Sequence, residues 1–234
     1  MVLNPNDKRI RIVSGHFGSG KTEFSINYIL ELKKHFEKVA AIDLDIINMY
    51  FRLREQIDFL EEEGVSNFSS SLPRANAFDL PALDSKIMVS LADETYQTVV
   101  DLGGNPKGSL PLGRYREILE TKDYDHFFVI NRNRPETATV DDTIRFLREI
   151  EDYSKTRVTG LINTTNMLKE TTVDDVLFGQ ELVEKVSEKT SLPIKYIVAI
   201  KDVAEELKNS DRLDENMKDK IFPINLYFRE QWML

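Results

Sequence analysis

Short apolar runs rich in β-branched residues alternate with segments of helical periodicity along most of the chain. This alternation is typical of βαβ units, in which parallel strands are joined by crossover helices. The predicted strands are Ile10–Ser14, Val39–Asp43, Thr98–Asp101, Phe127–Ile130, Thr159–Ile162 and Tyr196–Ile200. The pattern therefore predicts an α/β fold with three layers, α/β/α, around a mainly parallel sheet.

Two of the segments between predicted strands begin with the same helix-start signal. Thr139-Val-Asp-Asp142 and Thr172-Val-Asp-Asp175 both fit a capping box, in which a threonine and an acidic residue satisfy each other's backbone N–H groups. The first signal is followed by apolar residues that share one helical face, namely Val140, Ile144, Leu147 and Ile150. We predict helices that pack on the sheet at both places.

The segment from Ile46 to Glu94 interrupts the alternation of predicted strands and helices. It contains an acidic helix candidate, Phe51–Glu63, and then a stretch rich in serine, asparagine and proline. Long excursions within a compact domain usually carry function. We interpret residues 46–94 as an embellishment near the active-site end of the sheet. Because no linker composition interrupts the chain, residues 1–234 are expected to form a single domain.

Composition narrows the functional classes. The 234 residues carry 31 Lys and Arg against 40 Asp and Glu, a formal charge of −9, which argues against broad non-specific binding to nucleic acid. The absence of cysteine excludes thiolate zinc sites and cysteine-held iron–sulfur clusters. No apolar run approaches the ~20 residues that span a bilayer, and Met1–Arg11 lacks a signal-peptide core. We expect a cytoplasmic protein.

The strongest chemical signal is the loop that follows the first predicted strand. Gly15-His-Phe-Gly-Ser-Gly20-Lys21-Thr22 matches G-x-x-x-x-G-K-[ST] at every fixed position. In this arrangement backbone N–H groups and a helix N-terminus form a concave anion site. Lys21 places a cation against the β- and γ-phosphates, and the Thr22 hydroxyl is a ligand for Mg²⁺. The residues predicted to bind the nucleotide here are Gly15, Gly18, Ser19, Gly20, Lys21 and Thr22.

Two further predicted strands end in carboxylates. Asp101 follows an apolar strand and precedes Gly103-Gly104, the form of a Walker B element whose carboxylate holds Mg²⁺ and whose Gly104 N–H can meet the γ-phosphate. The alternative is an aspartate that caps the next turn. Asp43 and Asp45 lie on one side of the alternation after the second strand. We expect one to be structural and Asp45, further past the strand end, to be the catalytic carboxylate that orients the attacking water.

Together these motifs resemble the MinD/ParA/CobQ-type P-loop ATPases of the SIMIBI class, and Asp43-Leu-Asp-Ile-Ile-Asn-Met-Tyr-Phe-Arg52 is similar to uncharacterised bacterial ATP-binding members. The resemblance covers most of the chain and is weakest over residues 46–94. It implies a P-loop nucleoside-triphosphatase fold with helices on both faces of the sheet. It also implies that Asp45 positions water, that Asp101 is the acid on the Mg²⁺ side and that Asn163 contacts the adenine edge.

The chain departs from the family pattern at two points. Many of these ATPases carry a second lysine early in the P-loop that reaches across a nucleotide-sandwiched dimer, and His16 stands at that position. Histidine is only partly charged near pH 7, so Arg132 and Arg134 are candidates to supply a fixed charge, the alternative being two solvated loop arginines. The lack of cysteine excludes the iron–sulfur carrier branch.

The segment after the fifth of these strands bears on the choice of base. It reads Asn163-Thr-Thr-Asn166 and lacks the aspartate of the guanine-selective Asn-Lys-x-Asp motif, which favours ATP over GTP. A cationic amphipathic tail of the MinD type is not expected, because residues 221–234 are short and contain Pro223.

Three functions follow from these residues. The first is a Mg²⁺-dependent ATP-binding switch with slow ATPase activity, an unknown protein partner and a nucleotide-dependent homodimer. The second is an ATP-dependent kinase or ligase for a small carboxylate, similar to dethiobiotin synthetase, with Lys107 gripping the substrate. The third is a GTP-dependent metallocentre chaperone, which is weakly supported because His16, His35 and His126 have no metal-ligand spacing.

Overall fold

One parallel sheet runs through the protein. A computed structural model of the chain describes residues 2–45, 53–69 and 87–228. Its strands are β1 (Ile10–Gly15), β2 (Val39–Leu44), β3 (Ser66–Ser69), β4 (Gln97–Leu102), β5 (Tyr124–Ile130), β6 (Gly160–Asn163), β7 (Ile194–Ile200) and β8 (Ile221–Ile224). Within these ranges they form one sheet in the order β3-β2-β4-β1-β5-β6-β7-β8, with every neighbouring pair parallel. The predicted α/β fold is confirmed.

Helices cover both faces of this sheet. The α-helices are α1 (Lys21–Lys33), α2 (Ile57–Glu62), α3 (Ile87–Ala92), α4 (Arg116–Glu120), α5 (Val140–Ser154), α6 (Val173–Thr190), α7 (Lys201–Asn209) and α8 (Glu215–Lys218). Phe127 of β5 packs with Phe24 of α1, whereas the next residue, Phe128, packs with Leu147 of α5 and Val183 of α6. Successive strand residues point to opposite faces, so three layers result. Within the described ranges no helix is both long enough and apolar enough to cross a bilayer.

All six predicted strands are present, and two edge strands were not predicted. The strand β3 has Phe68 as its only large apolar side chain, so it carries little strand pattern. The strand β8 contains Pro223, which removes a backbone donor and is tolerated on edge strands. The strands β3 and β8 lie at opposite edges of the sheet, where a strand has a hydrogen-bonded neighbour on one side only.

The two predicted helix starts differ in detail. At the start of α6, Thr172 and Asp175 form the complete capping box. At the start of α5, the Thr139 hydroxyl accepts from the Asp142 backbone N–H at 3.2 Å, but no return bond to the Thr139 backbone is formed. The Asp142 carboxylate is instead held by the Thr139 hydroxyl and by Arg145, each at 2.6 Å. The second capping box is therefore confirmed and the first is only half formed.

The excursion after β2 is partly described. The helix candidate Phe51–Glu63 is realised as a single 3₁₀ turn, Leu53–Gln56, followed by α2, while Phe51 lies outside the described residues. Arg54 of the 3₁₀ turn donates to the Asp43 carboxylate from its backbone N–H at 3.0 Å and from Nε at 2.8 Å. These contacts fasten the 3₁₀ turn 53–56 to the carboxyl end of β2.

Candidate functional site

The loop between β1 and α1 forms the base of the site. Gly15 is the last residue of β1, and α1 begins at Lys21. Gly20, the N-cap of α1, has a φ of +89°, a left-handed conformation that glycine adopts without strain. A hydrogen bond from the Ser19 N–H to the His16 carbonyl, at 3.1 Å, closes the turn. The loop therefore directs the N-terminus of α1 at the carboxyl edge of the sheet, where open α/β sheets bind ligands.

The segments that follow β4 and β6 hold this loop in place. The Phe17 N–H donates to the Gly104 carbonyl at 3.0 Å, and a Cβ at Gly104 would lie 2.5 Å from a ring carbon of Phe17. Glycine is required at this position because of that close approach. On the other side, the Thr164 hydroxyl that follows β6 donates to the Ser19 carbonyl. The loop is thus tied to both β4 and β6 before any ligand arrives.

Thr22 and Asp101, the two residues predicted to hold Mg²⁺, lie within hydrogen-bonding distance of each other. The Thr22 hydroxyl, in the first turn of α1, donates to the Asp101 carboxylate at 2.7 Å. Ser25, one turn later, donates to the other carboxylate oxygen at 3.4 Å. Hydroxyl and carboxylate oxygens are the hard ligands that Mg²⁺ takes in proteins, with water and phosphate oxygens filling the other positions. This donor set fits a magnesium ion held next to a phosphate chain.

Burial dominates the electrostatics of Asp101. The side chain is fully buried, and removal from water raises its pKa from 3.8 to about 7. The charge of Lys21 and the hydrogen bond from Thr22 act in the opposite direction, while the carboxylates of Asp43 and Asp45 add to the rise. A carboxylate with this pKa destabilises the ligand-free fold whenever it is ionised.

Replacing Asp101 by asparagine should therefore stabilise the nucleotide-free protein at pH 8. The pKa of the wild-type group is about 7 when folded and 3.8 in the reference state. At pH 8 the Asp101 carboxylate is ionised in both the folded and the unfolded protein. Keeping this charge buried destabilises the folded protein by roughly 2–4 kcal/mol. As the pH falls through 7, the folded wild type takes up a proton before the unfolded chain does, so its stability rises. The advantage of Asp101→Asn should accordingly shrink by pH 5.

Urea unfolding at pH 8 and pH 5 measures this gap. Asp123→Asn is the matched control, because the Asp123 side chain is 85% exposed. If the stability of Asp101→Asn relative to wild type were the same at both pH values, the raised pKa of Asp101 would be contradicted.

Lys21 and Asp45 form the second pair of the site. The Lys21 ammonium lies 3.6 Å from an Asp45 carboxylate oxygen, and both side chains are almost completely buried. Lys21 also lies 3.5 Å from the Thr22 hydroxyl. The ammonium is thus placed between the residue predicted to position water and the residue predicted to hold Mg²⁺.

Asp43 and Asp45 have different surroundings although they are two residues apart. Asp43 is held by Arg54 and also accepts the Asp45 backbone N–H at 2.8 Å. Arg54 in turn donates to the Asp45 carbonyl at 2.9 Å. Asp43 therefore organises the strand end, and the Asp45 carboxylate is the one beside Lys21. This difference agrees with the expectation that one of the two is structural.

His16 is committed to contacts within the chain. Its Nε2 lies 3.1 Å from the Glu136 carboxylate, and its Nδ1–H donates to the Phe17 carbonyl at 2.9 Å. The ring also packs edge-on against Phe146. The His16 side chain therefore fastens the P-loop to the segment after β5.

A cavity of about 300 Å³ opens beside the P-loop, at the lower end of the range for small-molecule sites. Its polar end contains Lys21, Thr22 and Arg134. The other end is a mainly apolar wall from the ends of β7 and β8. The wall and floor residues are Val198, Ala199, Ile200, Ile224, Leu226, Phe228, Thr164, Asn166, Leu168 and Thr171. A cationic end joined to an apolar end matches the chemistry of a nucleotide, with phosphates at one side and a base at the other.

The expected contact of Asn163 with the adenine edge is not supported by its geometry. Asn163 is fully buried, and its amide donates to the Val176 carbonyl at 3.0 Å and to the Gln180 side chain at 3.2 Å. Its carbonyl oxygen accepts the Thr165 backbone N–H at 3.0 Å. Asn163 is therefore used to shape the turn, and the cavity is lined by Thr164 and Asn166 instead.

One wall of the cavity was missed by the sequence analysis. The backbone N–H groups of Tyr227 and Phe228 donate to the Glu23 carboxylate at 2.9–3.0 Å. Asn27, one turn further along α1, makes a reciprocal pair of hydrogen bonds with the Asn225 backbone. The segment after β8 is thus fastened to the helix that follows the P-loop. The only available signal was the position of Glu23 next to Thr22, which is too common to be diagnostic.

Comparisons with known proteins agree with the fold. The chain matches no protein-family model and no curated protein sequence. Among solved structures it is similar to the cell division protein FtsY of Thermotoga maritima, with a TM-score of 0.57 and 18% identity over 85% of this chain and 64% of that chain. For chloroplast FtsY of Physcomitrella patens the TM-score is 0.54, with 18% identity over 84% of this chain and 59% of that chain. For the signal recognition particle 54 kDa protein of Aeropyrum pernix, in complex with GDP, the TM-score is 0.51, with 16% identity over 83% of this chain and 42% of that chain.

These similarities establish the fold and no more. At 16–18% identity they show that the chain has the P-loop nucleoside-triphosphatase fold. The chain spans 64% and 59% of the two FtsY structures, so it is shorter than the proteins it resembles.

Proposed function

We propose that the protein binds Mg²⁺–ATP, hydrolyses it slowly and acts as a nucleotide-dependent switch. One observation carries the proposal: two buried pairs, Thr22–Asp101 at 2.7 Å and Lys21–Asp45 at 3.6 Å, converge beside the P-loop. The first pair supplies ligands for a cation, and the second joins a phosphate-binding ammonium to a carboxylate that can act on water. Bound Mg²⁺ would neutralise charge on the phosphate oxygens.

The loop itself supports binding of the phosphate chain. The backbone of Gly15, Gly18, Ser19 and Gly20 surrounds the N-terminus of α1, the end of a helix that attracts anions. The Ser19 hydroxyl is buried and has no hydrogen-bond partner among the residues that the structure describes. Buried polar groups normally have partners, and a phosphate oxygen would provide one.

Adenine is the proposed base. Recognition of guanine by an Asn-Lys-x-Asp motif needs a carboxylate that accepts from the base. Among the described residues that line the cavity, Glu23 is the only acidic one, and its oxygens accept the N–H groups of residues 227 and 228. The Asn166 amide lines the cavity; its Nδ2 donates to the Thr164 carbonyl at 2.7 Å and its Oδ1 accepts the Leu168 N–H at 3.1 Å, which leaves one donor and one acceptor for a base. The GDP bound to the Aeropyrum pernix structure shows that the fold by itself does not select adenine.

Asp45 is the proposed catalytic residue. Its carboxylate lies 3.6 Å from the Lys21 ammonium. A triphosphate in the loop gives Lys21 a second anionic partner, and Asp45 is then available to hold the attacking water and take its proton. A site in which the carboxylate must first exchange its partner is consistent with slow turnover.

The same contacts link the site to two outer segments. Arg54 touches both the Asp43 carboxylate and the Asp45 carbonyl, so a movement of Asp45 reaches the 3₁₀ turn 53–56. On the other side, Gly104 is hydrogen-bonded to Phe17 of the P-loop. These two strand-end segments are the proposed switches. A nucleotide-dependent homodimer and an unknown protein partner stay predictions.

Phosphate release separates this function from its alternatives. We expect slow Mg²⁺-dependent release with ATP alone and at least tenfold less with GTP. Thermal unfolding gives a second measure, since a ligand at 100 times its Kd adds about 2.7 kcal/mol to stability. Turnover that begins only when small carboxylic acids are added would contradict the switch and indicate a kinase or ligase. Stronger stabilisation by GTP than by ATP would overturn the choice of base.

A further inference from the structure

The two arginines after β5 have different surroundings. The Arg132 guanidinium lies over the Phe178 ring, 3.6 Å from its centroid, and 3.4 Å from the Glu181 carboxylate. Arg134 lines the cavity together with Lys21, and its Nε donates to the Gly18 carbonyl of the P-loop at 2.9 Å. The first arginine is engaged on the outer surface, and the second lies on the phosphate loop.

Arg134 carries a charge that the described part of the protein does not neutralise. Its side chain is exposed, and no described carboxylate lies within 4.0 Å of it. Lys21, the other cation of the cavity wall, is already paired with Asp45. Arg134 is therefore the cavity cation without an anionic partner among the described residues.

The backbone holds Arg134 in position. Its N–H donates to the Asn131 carbonyl at 3.1 Å, and its carbonyl accepts the Thr137 N–H at 3.0 Å. Pro135 follows, with its φ fixed by the ring. The contact with Gly18 is tight, because a Cβ at Gly18 would lie 2.9 Å from the guanidinium carbon. A cation placed in advance loses little entropy when it meets a ligand.

Resting on the nucleotide site proposed above, we propose that Arg134 is a second cationic contact for the phosphate chain, supplied by the same chain that carries the P-loop. The guanidinium has five N–H donors, and the bond to Gly18 uses only Nε. The planar guanidinium group matches phosphate oxygens and stays charged at every physiological pH. His16 cannot take this role while its ring is bonded to Glu136 and Phe17.

The test compares ADP with adenosine, which has no phosphate. Both are measured by displacement of a fluorescent ADP analogue from the purified full chain. Arg134→Ala should weaken ADP binding about 10- to 100-fold, the range for a lost charge-assisted hydrogen bond. Adenosine binding should change less than threefold. Arg132→Ala is the matched control and should bind ADP as the wild type does.

Two conservative variants separate charge from packing. Arg134→Lys keeps the charge but loses the planar guanidinium, so we expect its ADP affinity to lie between those of the wild type and Arg134→Ala. Arg134→Gln keeps a neutral amide that can reach Gly18, and we expect it to lose affinity as the alanine variant does. A glutamine variant that binds ADP like wild type, an alanine variant within twofold of wild type, or an equal loss for adenosine would overturn the proposal. Failure of the wild type to bind ADP at all would instead refute the nucleotide site itself.

Discussion

Replacing Lys21 by alanine should weaken Mg²⁺–ATP binding at least about 100-fold and remove measurable turnover. The residue is 4% exposed, and its ammonium lies 3.5 Å from the Thr22 hydroxyl and 3.6 Å from the Asp45 carboxylate. A charge-assisted contact to phosphate accounts for most of that factor. Equilibrium titration with a fluorescent ATP analogue measures the affinity, and phosphate release measures the turnover.

ATP binding by Lys21→Ala must be compared with that of the wild type under conditions in which both proteins are folded. The substitution removes the ammonium beside the buried Asp45 carboxylate, which we expect to lower stability by about 1–3 kcal/mol. Circular dichroism at the assay temperature therefore accompanies the titration. Lys34→Ala is the matched control, because Lys34 lies just after the same helix with its side chain 66% exposed. If the folded Lys21→Ala protein bound ATP as tightly as Lys34→Ala, the phosphate site would lie elsewhere.

Replacing Asp45 by asparagine should leave ATP affinity within about threefold of wild type and slow hydrolysis by 10²–10⁴-fold, the usual contribution of a positioned general base. Asparagine keeps the size of the side chain but does not take a proton from water. The expected outcome is therefore a loss of turnover without a loss of binding. Single-turnover phosphate release with saturating ATP measures the chemical step separately from affinity.

Asp43→Asn provides the contrast two residues away. Its carboxylate accepts from Arg54 and from the Asp45 backbone, so its loss should lower the free energy of unfolding by about 1–3 kcal/mol. Hydrolysis per folded molecule should fall much less than in Asp45→Asn. Normal hydrolysis by Asp45→Asn, or the same kinetic defect in both variants, would show that Asp45 is not the catalytic carboxylate.

The strands that carry a strong apolar pattern were predictable from the sequence. The two that escaped prediction, β3 and β8, are edge strands with one paired side, so their sequences need not be continuously apolar. Position in the sheet, which no local pattern encodes, decided both cases.

Within the site, the residues that could be predicted were those whose chemistry requires a particular residue type at a fixed place in a motif. Thr22 and Asp101 were both predicted to hold Mg²⁺, and they lie together because parallel strand ends share one edge of the sheet. The separate environments of Asp43 and Asp45 depend on Arg54, eleven residues beyond Asp43 in a 3₁₀ turn that the pattern assigned to a longer helix. Spacing alone does not identify that partner.

Asn163 shows the opposite case. Its place after a strand suggested contact with a base, but its amide is consumed by Val176 and Gln180 of α6. Likewise, the wall formed by residues 225–228 depends on Glu23 and Asn27, which are about 200 positions away in sequence. Such long-range hydrogen bonds arise from packing and have no signal in a single sequence.

The most direct measurement of the central claim is a crystal structure of the protein with Mg²⁺ and a non-hydrolysable ATP analogue. We predict a triphosphate enclosed by the backbone of residues 15–22, with the Lys21 ammonium on its terminal phosphates and the metal beside Thr22 and Asp101. An analogue bound away from this loop, with Lys21 still paired only to Asp45, would contradict the account.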